Sequence, residues 1–239
     1  MIRAIHVGAL VALCLLSPAQ AQDAACDEAD IAVATIPVPP QSATAYRRAR
    51  AVGVTVGEAQ DGDVVLLGDS LTQLWPAASV AETFGAKVLN LGVGSDRTQN
   101  VLWRLQDARY ATLSPRTVFL MIGTNNLGYL DKVCAIREGV RQIVERIDAL
   151  WRKPRLVVVG ILPRGKKSAF RDADRIGFNR ELENLLTRRG NAVMVDDTAL
   201  RCADDHCPTF APDMVHLTPE GYAVLGAAVR LRLEAAGAP

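Results

Sequence analysis

The chain has almost no net charge: 27 Lys and Arg against 26 Asp and Glu in 239 residues, a formal balance of +1. It also lacks the clustered cations that release counterions from nucleic acids. Its richest basic stretch, Arg164 to Lys167, is short and falls in an expected loop, so nucleic acid is excluded as a partner. Beyond the first 21 residues no apolar run reaches the roughly 18 residues that a membrane helix needs, which excludes stable membrane insertion. No repeat, low-complexity tract or linker interrupts the sequence, and nothing argues for more than one principal domain. With 49% hydrophobic and 22% charged residues, disorder, collagen and coiled coil are excluded as well.

The first 21 residues are a separate matter. Arg3, the apolar run Ala4 to Leu16 and the small-residue site Ala19-Gln20-Ala21 read as a secretory signal cleaved before Gln22. Export to the periplasm or the exterior is therefore expected. Cys14 follows Leu13 where a lipoprotein would need a small residue, so lipidation is set aside. Removing 21 of the 239 residues leaves 218, with 26 basic and 26 acidic side chains. Four cysteines remain, an even number in a chain bound for an oxidising compartment. Cys202 and Cys207 are close enough to close a small loop, which leaves Cys26 for Cys134 if both bridges form.

A polar lead ends at Pro37-Val38-Pro39-Pro40 and a helix is expected from Ser42 to Ala51, so that residues 22–60 form an arm ahead of a domain over 61–239. From there short apolar runs alternate with longer amphipathic ones, the pattern of parallel strands covered on both faces by helices. The strand candidates are Asp63 to Leu67, Lys87 to Leu91, Thr117 to Ile122, Arg155 to Ile161 and Ala192 to Val195. Helices are expected over Leu71 to Phe84, Thr98 to Asp107, Lys132 to Trp151, Arg171 to Arg189 and Pro219 to Ala235. Right-handed crossovers turn this order into an α/β fold, a three-layer α/β/α sandwich on an open five-stranded parallel sheet. Ligands in such folds bind outside the carboxyl ends of the strands, where the winding reverses.

Small polar residues follow three of those strand ends: Gly68-Asp69-Ser70, Gly92-Val93-Gly94-Ser95-Asp96 and Gly123-Thr124-Asn125-Asn126. In the order 2-1-3-4-5 the first and third lie across one crevice. A serine there attacks only when a neighbouring base takes its proton. Beyond the signal the chain has two histidines, His206 and His216, and His216 follows Asp213 by three residues, close enough for the carboxylate to orient the imidazole. Ser70, Asp213 and His216 are the candidate triad. The backbone N–H of Ser70, the amide of Asn125 and an N–H from the Gly94-Ser95 loop are candidate donors to an oxyanion. Each feature alone has an ordinary reading as a turn, a capped helix start or a surface pair. Their coincidence, in order and at one edge of the expected sheet, favours the site.

These residues resemble the SGNH, or GDSL-type, hydrolase superfamily. Asn90 to Asp96, Val101 to Leu105, Gly123 to Asn126 and Leu162-Pro163-Arg164-Gly165 are similar to its platelet-activating-factor acetylhydrolase catalytic-subunit branch, and the likeness runs from about Val64 to Leu231. The resemblance implies a flavodoxin-like sandwich and ester hydrolysis through an acyl-enzyme, with no metal and no cofactor. It implies Ser70 as nucleophile, His216 as base, Asp213 as its orienting acid and Asn125 as oxyanion donor. One departure matters: where the family has a glycine before the Asp of its second block, this chain has Ser95, with Gly94 one place earlier; the usual Asp that ends the third block is Asn126 here, as in the acetylhydrolase branch. Ser95 is assigned the second donor N–H and Gly94 is the fallback, because a serine keeps the N–H but tolerates fewer backbone angles. The resemblance also places Leu71, Thr124 and Val215 around the acyl group, where their bulk favours acetyl or another short chain; Leu71 and Val215 equally suit core packing.

Arg97, on the oxyanion loop, is a candidate contact to the leaving group. Cys202, His206 and Cys207, with Asp204 and Asp205, resemble a zinc set, but a disulfide loop is the better expectation in an exported chain. Trp75, Trp103 and Trp151 are expected to pack against helices. The reading is an exported serine esterase acting on a small-molecule, glycan or lipid ester, with a homodimer as an open possibility. Its rivals are an acyltransferase that delivers the acyl group to a glycan and a non-catalytic binding module.

Overall fold

The computed structural model describes residues 26–59, 62–85, 87–195, 197–202 and 207–237. The proposed signal segment and His206 lie outside the described residues. Five parallel strands, β1 (Val64–Gly68), β2 (Val88–Asn90), β3 (Thr117–Met121), β4 (Arg155–Val159) and β5 (Ala192–Val195), form one sheet in the order β2-β1-β3-β4-β5. This is the expected fold and strand order. β1 and β3 are neighbours, with Leu66 opposite Phe119 and Gly68 opposite Met121, so both chains leave the sheet side by side.

The side-chain period of two explains how such short, wholly apolar strands hold three layers together. Val65 and Leu67 of β1, Val118 and Leu120 of β3, and Leu156 and Val158 of β4 point into one core. The residues between them, Leu66, Phe119, Met121, Val157 and Val159, point into another. Helices α2 (Ala43–Glu58), α5 (Thr98–Arg104), α7 (Val133–Trp151) and α8 (Asp172–Arg189) cover the first face. The other is covered by α4 (Ala77–Phe84) and α9 (Pro219–Ala235). Helix α7 shows the sequence logic directly: Val133, Ile136, Val140, Ile143, Ile147 and Trp151 recur every three or four residues and all are buried. Thr218 caps α9 by accepting from Gly221, and Pro219 occupies its first turn.

Several boundaries differ from the sequence expectation, each for a local reason. The helix expected over Leu71 to Phe84 is two: α3 (Ser70–Gln73) stops before Trp75, and α4 restarts after Pro76. Proline lacks the N–H that would continue the first helix and disfavours helical geometry in the residue before it. The helix expected to reach Asp107 ends at Arg104, because the Asp107 side chain caps a separate 3-10 turn, Ala108–Thr112, by accepting from Arg109. The helix expected from Ser42 runs on to Glu58. The polar lead contains a further helix, α1 (Glu28–Thr35), started by a reciprocal capping box between Asp27 and Asp30. Cys26 bonds Cys134 at the start of α7, and Lys132 pairs with Asp30 at 2.6 Å, so this segment is fastened to the domain. The second bridge joins Cys202 to Cys207. Among the described residues no helix is long and apolar enough to cross a membrane.

All three tryptophans pack. Trp75 is buried among Phe84, Phe119 and Tyr222, Trp103 lies against Tyr46, and the Trp151 indole N–H donates to the carbonyl of Tyr110 at 2.8 Å.

Candidate active site

The first candidate loop leaves β1 through Gly68 and turns at Asp69, which caps α3 by accepting from the N–H of Leu71 at 2.9 Å. That turn puts Ser70 at the first position of the helix, half-buried, with its hydroxyl facing outward from the sheet edge to His216. The Nε2 of His216 stands 2.8 Å from Ser70 Oγ, and its Nδ1 stands 2.6 Å from Asp213 Oδ2. The other oxygen of Asp213 accepts from the N–H groups of Val215 and His216, both at 3.0 Å. The three predicted side chains therefore form one continuous hydrogen-bonded line, although 146 positions separate serine from histidine. Desolvation pushes the Asp213 carboxyl upward, but the His216 side chain and the two backbone donors outweigh it and hold the group below the usual carboxylate range.

The loop that carries Asp213 and His216 is long but well tied. Phe210 pairs with Leu217 in an antiparallel bridge, the N–H of Ala211 donates to the carbonyl of His216 at 2.8 Å, and the hydroxyl of Thr218 donates to the carbonyl of Pro208 at 2.6 Å. The Cys202–Cys207 bridge closes its approach. Its outer surface is open, with the side chains of Asp213 and His216 51% and 33% exposed.

Across from the imidazole, the second and third loops meet. Asn125 enters α6 (Thr124–Gly128), a short helix where the sequence alone suggests a turn, after Gly123 adopts φ +115°, a backbone angle that glycine accommodates. One N–H of the Asn125 amide donates to the carbonyl of Asp96 at 2.9 Å, which orients the group beside the second loop. In that loop Ser95 is exposed and has φ +65°, the left-handed conformation that a glycine would adopt with less strain. The N–H of Gly94 is engaged, donating to Oε1 of Gln73 at 2.6 Å. Among the described residues no acceptor is bonded to the N–H of Ser95.

Beneath these loops lies a polar foundation whose residues fall within the sequence motifs but whose pairings the motifs do not announce. Asp96 and Arg104 form an ion pair at 2.8 Å with both side chains at most 1% exposed. Arg104 also donates to the carbonyl of Leu91 and to the Tyr110 hydroxyl. Burial pushes the Asp96 carboxyl up to about 6, and the Arg104 guanidinium opposes that shift. Asn126, wholly buried, accepts from the N–H of Thr98 at 3.0 Å and donates to Asp131 at 2.9 Å, which ties α6 to the start of α5. Asp69 is wholly buried and its Oδ2 has no hydrogen-bond partner among the described residues. Desolvation raises this carboxyl to about 7; the charge of Asp96 adds to the shift, while the N–H of Leu71 and the charge of Arg164 reduce it.

The expected pocket residues separate. Leu71 is 1% exposed and packs in the second core beside Trp75 and Tyr222, so packing rather than contact with substrate accounts for it. The Tyr222 hydroxyl donates to its carbonyl at 2.8 Å. Val215 is half-buried next to the imidazole, and Thr124, nearly buried, precedes Asn125. Arg97 lies over the exposed ring of Tyr129, 4.6 Å from its centroid, and so joins the rims of the second and third loops. Among the described residues no three His, Cys, Asp or Glu side chains gather as metal ligands; the zinc alternative at His206 lies outside the described residues.

A serine, a histidine and a carboxylate joined at the edge of a three-layer α/β/α sheet are the working parts of a serine hydrolase. The comparisons agree. Residues 66–224 match the model of the GDSL-like Lipase/Acylhydrolase family, and the chain belongs to that family. It is 30% identical over 174 residues to the human platelet-activating factor acetylhydrolase IB subunit alpha2, covering 69% of this chain and 72% of that one. The rat alpha1 subunit is 37% identical over 109 residues, 45% of this chain and 46% of the relative. Among solved structures, an acetylxylan esterase from Geobacillus stearothermophilus matches with a TM-score of 0.56 at 17% identity, over 74% of this chain and 94% of that one, which is a likeness of fold.

Proposed function

We propose that the protein is an exported esterase that removes acetyl or similarly short acyl groups through an acyl-enzyme on Ser70. The Ser70 oxygen attacks the ester carbonyl as its proton passes to His216 Nε2; the same proton then goes to the departing alkoxide, which leaves as the alcohol. A water then gives its proton to His216 and its oxygen to the acyl carbon, freeing the acid and restoring the serine. Asp213 holds the imidazole with Nδ1 protonated and balances the charge it acquires. The N–H groups of Ser70 and Ser95 and the second N–H of the Asn125 amide face the oxyanion. Gly94 is the weaker candidate because its N–H is already held by Gln73.

The observation that carries this reading is the unbroken line from Ser70 through His216 to Asp213, at 2.8 and 2.6 Å. Short-chain preference is supported by Val215, half-buried next to the imidazole, and by the acetylhydrolase named among its relatives. Export is supported by the apolar N-terminal run and the two disulfides. The open face of the acid–base loop leaves His216 accessible to the water that hydrolysis needs.

The test is hydrolysis of p-nitrophenyl esters of increasing chain length by the protein and by Ser70→Ala, with EDTA present. Acetate should be cleaved fastest and the variant should be inactive. Activity that survives Ser70→Ala, or that EDTA abolishes, rejects the serine mechanism. Acylated product formed in preference to free acid when a glycan acceptor is added would make the protein a transferase.

A further inference from the structure

The arm that precedes the family match over residues 66–224 ends against the two loops that carry the oxyanion donors. The hydroxyl of Thr98, wholly buried at the start of α5, donates to the carbonyl of Ala34 in α1 at 2.7 Å. The Asn100 amide donates to the carbonyl of Val38 at 3.0 Å, and the N–H of Val38 donates to the carbonyl of Gln99 at 3.3 Å. The arm therefore meets residues 98–100 in succession, each at most 3% exposed. Its other end is fixed by the Cys26–Cys134 bridge and the pair of Asp30 with Lys132.

The residues that receive the arm also hold the loops. The amide oxygen of Asn100 accepts from the N–H of Arg97 at 2.8 Å, which fixes the end of the second loop. The N–H of Thr98 donates to the amide oxygen of Asn126 at 3.0 Å, and the Thr98 hydroxyl accepts from the Asn126 amide at 3.1 Å. A hydroxyl has one proton, and the short contact places it on Ala34, so a single row of donors runs from Asn126 through Thr98 to the arm. Asn126 adjoins Asn125, whose amide is aimed by the carbonyl of Asp96, next to Arg97. The fit is close: a Cβ at Gly139 of α7 would lie 2.6 Å from the Thr98 hydroxyl oxygen and 2.7 Å from the Ala34 carbonyl oxygen.

We propose that the arm is a positioning element for ester hydrolysis and that Thr98 is the positioning residue through which it acts, keeping the Ser95 N–H and the Asn125 amide aimed at the oxyanion. This rests on the esterase reading above. Freed from the arm, the second and third loops relax together, and two of the three donors lose their aim. The N–H of Ser70, on α3, is independent of the arm, so activity falls without vanishing. Substrate binding changes little, because these donors face charge that develops in the transition state.

The test is a cycle on p-nitrophenyl acetate with Thr98→Val, the bridge-free Cys26→Ser/Cys134→Ser chain and their combination. Valine keeps the branched shape and removes the hydroxyl, so kcat should fall about 20-fold with KM within about threefold. Removing the bridge should lower kcat at least about fivefold, and in the Thr98→Val background by no more than about twofold further, because both act through one contact. Thr98→Ser restores the hydroxyl and should stay within about threefold of wild type. Losses that multiply, a loss that Thr98→Ser shares, or a bridge-free chain within about twofold of wild type overturn the proposal. If circular dichroism shows that Thr98→Val or the bridge-free chain does not fold, Gly139→Ala decides. Alanine suits the α7 helix, and its methyl displaces the arm from Thr98, so a kcat within about twofold of wild type overturns the proposal. A wild type inert on p-nitrophenyl esters fails the esterase reading and this inference with it, whereas a Ser70-dependent wild type whose Thr98→Val keeps the parental kcat fails this inference alone.

Discussion

The two sides of the site are built by different means. On the nucleophile side Ser70, Ser95 and Asn125 follow strands β1, β2 and β3, and the side chains below them, Asp69, Asp96, Arg104 and Asn126, are almost wholly buried. On the acid–base side Asp213 and His216 sit on an open loop fastened by a two-residue bridge, a helix cap and a disulfide. The first side is therefore continuous with the core, and its polar groups contribute to folding as well as to chemistry. The second is an attachment whose reactive groups touch little else. Substitutions on the second side should remove activity and leave stability, and removing a buried charge below the first should do the reverse.

The largest effects break the comparison at the triad. Ser70→Ala should lower kcat by at least about 10⁴-fold and Asp213→Asn by about 10³-fold, since the amide cannot balance the imidazolium and favours the wrong tautomer. Because Asp213 is half exposed, unfolding in urea should shift by less than about 0.5 kcal/mol for Asp213→Asn. A larger shift would mean that the loop is part of the cooperative core. Arg104→Met should act in the opposite sense, leaving Asp96 buried with no countercharge and costing about 3–5 kcal/mol. Enough native protein at about 15 °C, near the usual temperature of maximum stability, should remain to show serine-dependent turnover. A native-like melting curve for this variant would overturn the distinction between the two sides.

A smaller effect comes from Asp69. Its carboxyl titrates near 7 in the folded chain and near 3.8 when exposed, so the folded state binds the extra proton between those values. Stability attributable to this group is thus greatest below about pH 4, falls as the pH rises to about 7, and is constant above that. Asp69→Asn keeps an oxygen for the Leu71 N–H and removes the titration. Urea denaturation at pH 5 and pH 8 should show the wild type losing more stability than the variant between them. Equal losses would place the titrating group elsewhere.

Much of this architecture was legible in the sequence because it rests on local signals. Runs such as Val64 to Leu67 and Thr117 to Ile122 show strands buried on both faces, and with only two histidines beyond the first 21 residues, the choice of a base was short. The break at Pro76 was also visible in principle. Helix α1 was not, because its apolar residues follow no stripe, although the Cys26–Cys134 bridge that fastens it to α7 is the pairing expected once Cys202 joins Cys207. Nor were the ion pair of Asp96 with Arg104 and the hydrogen bond from Thr98 to Ala34. Each joins residues whose neighbours in sequence say nothing of the partner, and burial turns an ordinary charge into a structural one.

The smallest expected change sharpens the comparison at Ser95, on the second loop. Ser95 holds a left-handed backbone angle of +65° that costs a residue with a Cβ about 1–2 kcal/mol. Ser95→Gly removes that cost but gives the unfolded chain more freedom, worth about 0.5–1 kcal/mol, so the two nearly cancel and Tm should move by only a few degrees. The proposed donor is the backbone N–H, which glycine keeps. Turnover of p-nitrophenyl acetate should therefore stay within about threefold of wild type, since every oxyanion donor is retained. A drop beyond about tenfold would assign a role to the Ser95 hydroxyl, because removing an oxyanion donor costs at least that much. The departure would then be an adaptation of this chain to its own ester, not a tolerated substitution.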